Sequence, residues 1–146
     1  MMKTLQVKTG RPYEIRIERG CLRRCGALIR SVSKAQKAAV ITDSNVGPLY
    51  AGVAAASLKE AGFHTFTHVF PAGEGSKALC SIGDMLSFLA DNAFTRGDLI
   101  VALGGGVTGD MAGFAAAIYM RGIDYIQIPT SLLAQIDSSV GGKTAV

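Results

Sequence analysis

Three glycines, Gly104, Gly106 and Gly109, stand in G-x-G-x-x-G spacing after the apolar run Leu99 to Leu103 and ahead of the small, uncharged segment Met111 to Met120. That order predicts a strand, a tight turn without side chains, and an alanine-rich helix. In such a turn the backbone can approach a pyrophosphate closely, and the free N–H groups of the first helical turn point at its negative charge. The same glycines also suit a strand-to-helix turn packed tightly on a sheet, so spacing alone leaves both readings open.

Other groups with chemical capacity follow predicted strands in the same way. Asp43-Ser44-Asn45 closes the apolar run Ala38 to Thr42, where a carboxylate could hold a ribose or Ser44 or Asn45 could cap the next helix. Gly73, Glu74, Gly75, Ser76 and Lys77 follow the run Phe63 to Phe70, with Ser76 placed to cap a helix and Glu74 and Lys77 either a solvated pair or ligand contacts. Thr130 and Ser131 follow Tyr125 to Ile128, and beyond them Asp137-Ser138-Ser139 and Gly141-Gly142-Lys143-Thr144 crowd polar and flexible residues together. A P-loop would need glycine five positions before Gly142, where Asp137 stands, so that motif is excluded. Asp137 reads as a turn residue or a ligand contact, and Lys143 as a surface cation or an anion ligand.

The elements that must carry these groups are legible in the hydrophobic pattern. Leu5 to Thr9 and Tyr13 to Glu18, joined through Gly10-Arg11-Pro12, predict a hairpin forming an antiparallel edge ahead of the main fold. Helices are expected with buried faces Leu22, Cys25, Ile29 and Val32, then Val46, Leu49, Tyr50 and Val53, then Leu79, Ile82, Leu86 and Leu89. Strand and helix alternate, which implies one α/β domain over 1–146: a Rossmann-like parallel sheet with helices on both faces, preceded by an antiparallel hairpin.

Composition narrows the function classes. The net charge of +4 comes from scattered basic residues, which fits anionic small molecules better than a nucleic-acid surface. No uncharged apolar stretch reaches about 20 residues, so a soluble, cytoplasmic protein without membrane contact is expected. The odd cysteine count and the placement of Cys21 and Cys25 on one helix favour packing thiols. His64 and His68 fall in a strand pattern with no acidic partner between them, so no metal ligand is assigned in this sequence.

The strings GEGSK (Gly73 to Lys77), GGGVTGDMAGFAA (Gly104 to Ala116), MRG (Met120 to Gly122) and IPTSLLAQIDSSVGGKTAV (Ile128 to Val146) resemble the amino-terminal domain of the 3-dehydroquinate synthase family of sugar-phosphate cyclases. The resemblance implies that NAD is held by Asp43, Asn45, Gly73, Glu74, Gly75, Ser76, Lys77, Gly105, Gly106, Val107, Thr108, Gly109, Asp110, Thr130, Ser131 and Lys143. It places Arg121, Asp137 and Lys143 toward an anionic sugar phosphate, with Arg121 reaching the site of a neighbouring subunit in a homodimer. In the family, 3-deoxy-arabino-heptulosonate 7-phosphate is oxidised transiently by NAD, loses phosphate by β-elimination and closes to 3-dehydroquinate. A zinc or cobalt ion on a helical second domain assists. No such domain lies within these residues, so the resemblance implies that this chain alone is inactive. A related cyclase, forming 2-deoxy-scyllo-inosose or a valiolone, and a stand-alone nucleotide-binding module are the alternatives.

Overall fold

The two most apolar runs become the centre of the sheet. In the computed structural model, which describes residues 1–146, β3 (Lys37–Asp43) is buried from Ala38 to Thr42, and β5 (Leu99–Gly104) is buried throughout. Continuous burial on both faces is what a parallel strand between helical layers requires. The more amphipathic β4 (His64–Phe70) and β6 (Asp124–Pro129) take the edges, giving the all-parallel order β4-β3-β5-β6. Helices α2 (Gly52–Glu60), α3 (Leu79–Asp91) and α4 (Gly106–Ile118) make the crossovers, as parallel pairing demands.

Alternation along the strands feeds two cores. Ala38, Val40, Leu99, Val101 and Leu103 face α1 (Cys25–Arg30) and α2, where Cys25, Ile29, Ala54 and Leu58 close the layer. Ala39, Ile41, Ile100 and Ala102 face α3 and α4, meeting Ile82, Met85, Leu89, Met111, Ala112 and Ala115. The α1–α2 crossing is close because Gly26 has no side chain: a Cβ there would lie 1.9 Å from the Ser57 carbonyl oxygen. Its N–H instead donates to Ser57 Oγ at 2.9 Å. Burial pushes the Cys25 thiol above its ordinary value, and all three cysteines are free.

The hairpin of β1 (Lys3–Val7) and β2 (Tyr13–Ile17) forms a two-stranded sheet of its own and does not extend the parallel one. It is held by polar ties: Arg11 to Asp124 at 2.9 Å, and Arg16 to the Leu28 carbonyl and Ser31 Oγ. Three expected helical faces also shift. The segment Gly47–Ala51 is a π-helical turn whose wider winding rotates Leu49 and Tyr50 into solvent, leaving Ala54, Ser57 and Leu58 as the buried face of α2. Val32 lies beyond the end of α1 and is exposed, while Leu79 opens α3 on its exposed side and Met85 fills the core instead.

Candidate functional site

The chain leaves β3 toward β4 on one side, then crosses back to β5 and continues outward to β6. The carboxyl ends of β3 and β5 are therefore a topological switch point, the place where open α/β sheets leave a crevice for ligands. Asp43 ends β3 there. Its Oδ1 accepts the N–H groups of Asn45 at 2.8 Å and Val46 at 2.9 Å, so Asp43 itself closes the turn that Ser44 or Asn45 was expected to cap. Its Oδ2 lies 3.4 Å from the Thr108 hydroxyl of α4.

The glycine turn serves both readings offered by its spacing. Packing demands Gly104, where a Cβ would stand 2.3 Å from Thr108 Oγ1, while at Gly109 it would stand 2.7 Å from the movable tip of Gln127, Oε1. Gly105 and Gly106 have more room, with Ser131 Oγ at 3.4 Å and Ser138 Oγ at 3.2 Å from the Cβ positions. No side chain caps α4, which leaves its first-turn N–H groups without a side-chain acceptor. Ser138 Oγ, beside Gly106, is buried and has no hydrogen-bond partner. These are the features of an anion cradle: side-chain-free backbone, unclaimed donors and the positive end of a 13-residue helix.

The loop after β4 reaches across to this turn. Gly73 takes a φ of +109°, a backbone shape that favours glycine, and Glu74–Ser76 makes one 3-10 turn. Lys77 Nζ then pairs with Asp110 Oδ2 at 2.7 Å, each side chain about one-quarter exposed. Of the two readings of Glu74 and Lys77, a pair with each other is not formed, and the hydrogen bond with Asp110 holds the Lys77 ammonium above its ordinary value. Ser76 does not cap α3; its hydroxyl donates to the Pro71 carbonyl. Ser44 Oγ accepts the Ala72 N–H at 3.0 Å, joining the loops after β3 and β4. On the other flank Thr130 N–H donates to the Gly104 carbonyl at 3.0 Å, and Ser131 Oγ accepts the Ala134 N–H at 3.2 Å.

Asp43, Asn45, the Gly73 to Lys77 segment, Gly105 to Asp110, Thr130 and Ser131 thus share one edge of the sheet. Asp137 and Lys143 follow β6 on exposed chain, and neither forms an ion pair. Arg121 lies elsewhere. It follows the far end of α4, about 20 Å of helix from the glycine turn at ~1.5 Å per residue, and precedes the amino end of β6. There Met120, Arg121 and Gly122 all have positive φ, at 49°, 65° and 114°. Sequence reasoning missed Gln127, offered Ser44 only as a helix cap and gave Ser138 no role of its own, because the contacts of all three depend on tertiary approach. No group of three or more His, Cys, Asp or Glu side chains comes together in a way that could hold a metal ion. His64 is exposed, and His68 packs against Phe88 with ring centroids 5.1 Å apart and the planes tilted at 45°.

Fold and site together define a Rossmann-like domain of the sugar-phosphate cyclase type. A structure of 2-deoxy-scyllo-inosose synthase with carbaglucose-6-phosphate, NAD+ and Co2+ superposes with a TM-score of 0.90 at 29% identity, over 99% of this chain and 39% of that one. The 2-epi-5-epi-valiolone synthase ValA of Streptomyces hygroscopicus subsp. jinggangensis 5008, with NAD+ and Zn2+, superposes with a TM-score of 0.70 at 27% identity, over 81% of this chain and 34% of that one. Residues 67–146 match the family model described as 3-dehydroquinate synthase N-terminal. The 3-dehydroquinate synthase of Streptococcus suis (strain 05ZYH33) is 54% identical over 135 residues, 92% of this chain and 38% of that protein. The chain belongs to the 3-dehydroquinate synthase family, and it spans little more than a third of the length of that relative.

Proposed function

We propose that this chain is the NAD-binding domain of an enzyme that converts 3-deoxy-arabino-heptulosonate 7-phosphate to 3-dehydroquinate and phosphate. The observation that carries the reading is the glycine turn Gly104 to Gly109 at the switch point, flanked by Asp43 on one strand and by the Lys77–Asp110 pair from another. NAD fits the residues present: Gly105 and Gly106 leave backbone open to a pyrophosphate, Ser138 Oγ lacks a partner beside them, and Asp43 stands where a ribose hydroxyl would be accepted. Identity of 54% to a 3-dehydroquinate synthase against 29% to a 2-deoxy-scyllo-inosose synthase favours this member of the cyclases.

Bound NAD supplies a hydride acceptor that can return what it takes. The chain's own residues bind and orient. Asn45, Gly73 to Lys77, Val107 to Asp110, Thr130 and Ser131 line the dinucleotide, and Lys77 contributes a cation held in place by Asp110. Lys143 faces the anionic groups of cofactor and substrate, a task suited to a flexible ammonium, and Asp137 accepts a proton or hydrogen bond from a substrate hydroxyl. Arg121, at the opposite end of α4, cannot share this chain's own site and acts on the site of a second copy in a homodimer. The residues present do not fit a metal site, and no step is assigned through one.

Calorimetric titration of NAD into the 146-residue chain tests the reading. Saturable binding lost in Asp43→Ala is the expected result; binding indifferent to Asp43 would contradict it.

A further inference from the structure

The segment that carries Lys143 has almost no secondary structure of its own, yet it is pinned at three places. Gln127 Nε2 donates to the Ser139 carbonyl at 3.4 Å, and the Thr144 methyl packs where Gly113 leaves a gap, 2.2 Å from the position a Cβ would take. Between them the Gly141 N–H donates to Tyr13 Oη at 2.9 Å, a contact 128 residues apart in sequence. Gly141, the residue that Tyr13 holds, has a φ of +105°, a backbone shape that favours glycine, and the chain bends there. Lys143 sits between the Tyr13 and Gly113 anchors and makes no ion pair. The hairpin bearing Tyr13 is a separate sheet whose strands are exposed or half-buried, and Arg11 in its turn is tied to Asp124 at the amino end of β6.

We infer that Tyr13 is a positioning residue for Lys143: its hydroxyl fixes the Gly141 turn, and through it the ammonium that meets an anionic ligand. The inference rests on the assignment of Lys143 proposed above. It gives the hairpin a role that its slight share of the core does not explain.

Amide exchange and NAD titration followed by NMR, on the 146-residue chain and its Tyr13→Phe, Lys143→Ala and doubly substituted forms, test it. Tyr13→Phe keeps the ring and removes only the acceptor. Gly141 should then lose its protection while amides of β5 keep theirs. NAD binding should weaken about tenfold in Lys143→Ala and about three- to tenfold in Tyr13→Phe. The double variant should bind no worse than Lys143→Ala alone, because an unpositioned lysine that is also absent cannot be lost twice. Equal Gly141 exchange with and without the hydroxyl overturns the inference, as do additive losses in the double variant. A Lys143→Ala defect without a Tyr13→Phe defect refutes the positioning role alone. If Lys143→Ala binds NAD undiminished, the assignment of Lys143 is itself wrong, and the positioning role falls with it.

Discussion

At the scale of single residues, Asp43, Lys77 and Asp110 are already partnered within the protein, whereas Asp137 and Lys143 form no ion pair. Lys77 and Asp110 are only about one-quarter exposed, so their pairing restrains the loop after β4 without the full cost of burying either ion. Asp110→Asn should destabilise the fold by only about 1 kcal/mol, yet it should weaken NAD by releasing Lys77; denaturant melts and calorimetric titrations separate the two effects. The folded pKa of Lys77 is raised, so the pair stabilises the fold below the ordinary lysine value near 10.5 and ceases to do so as pH rises through the higher folded value. His68 behaves oppositely. Burial lowers its pKa from the ordinary 6.5 despite the nearby Asp84 carboxylate, so its contribution is present above that value and is lost as pH falls through the lowered one. Thermal melts from pH 8 to pH 4 should show an acid-side loss of stability that is smaller in His68→Phe; identical profiles would remove His68 as the cause.

The elements were legible where pattern alone decides them. The β5–turn–α4 unit is encoded by an apolar run, glycines and an alanine-rich stretch, and all four parallel strands fall within about two residues of the expected boundaries. Helical faces were harder to read, because the π-helical turn at Gly47–Ala51 changes the angular step between side chains and no sequence period records that. The Lys77–Asp110 pair was equally hidden, since its partners lie 33 residues apart and meet only through strand order. Glycine roles also separate only in three dimensions. Gly26→Ala drives a methyl into the Ser57 backbone and should cost about 3 kcal/mol, lowering the melting temperature by about 10 °C. Gly52→Ala meets nothing within 4 Å in α2 and should be neutral or raise stability by up to about 1 kcal/mol, the helix-propensity gain. Calorimetric melts of the two variants check the contrast.

For the whole molecule, two apolar layers pack against the sheet, from which the 146-residue chain is expected to fold by itself, while Leu132, Leu133 and Ile136 stand 66–73% exposed beyond β6. Such a patch favours association, and the 146-residue chain should self-associate as concentration rises, which sedimentation velocity would reveal. NAD affinity should be weak, because one wall of contacts must offset the whole cost of ordering a dinucleotide. The central claim is that the carboxyl edge of the sheet is an NAD site, and NMR mapping of NAD on the isotope-labelled chain tests it most directly. Shifts confined to Asp43 to Val46, Gly73 to Lys77, Gly104 to Asp110, Thr130 to Ser131 and Ser138 to Lys143 are the expected result. Shifts centred on the amino edge, around Arg96 and Gly122, or none at saturating NAD, would contradict it.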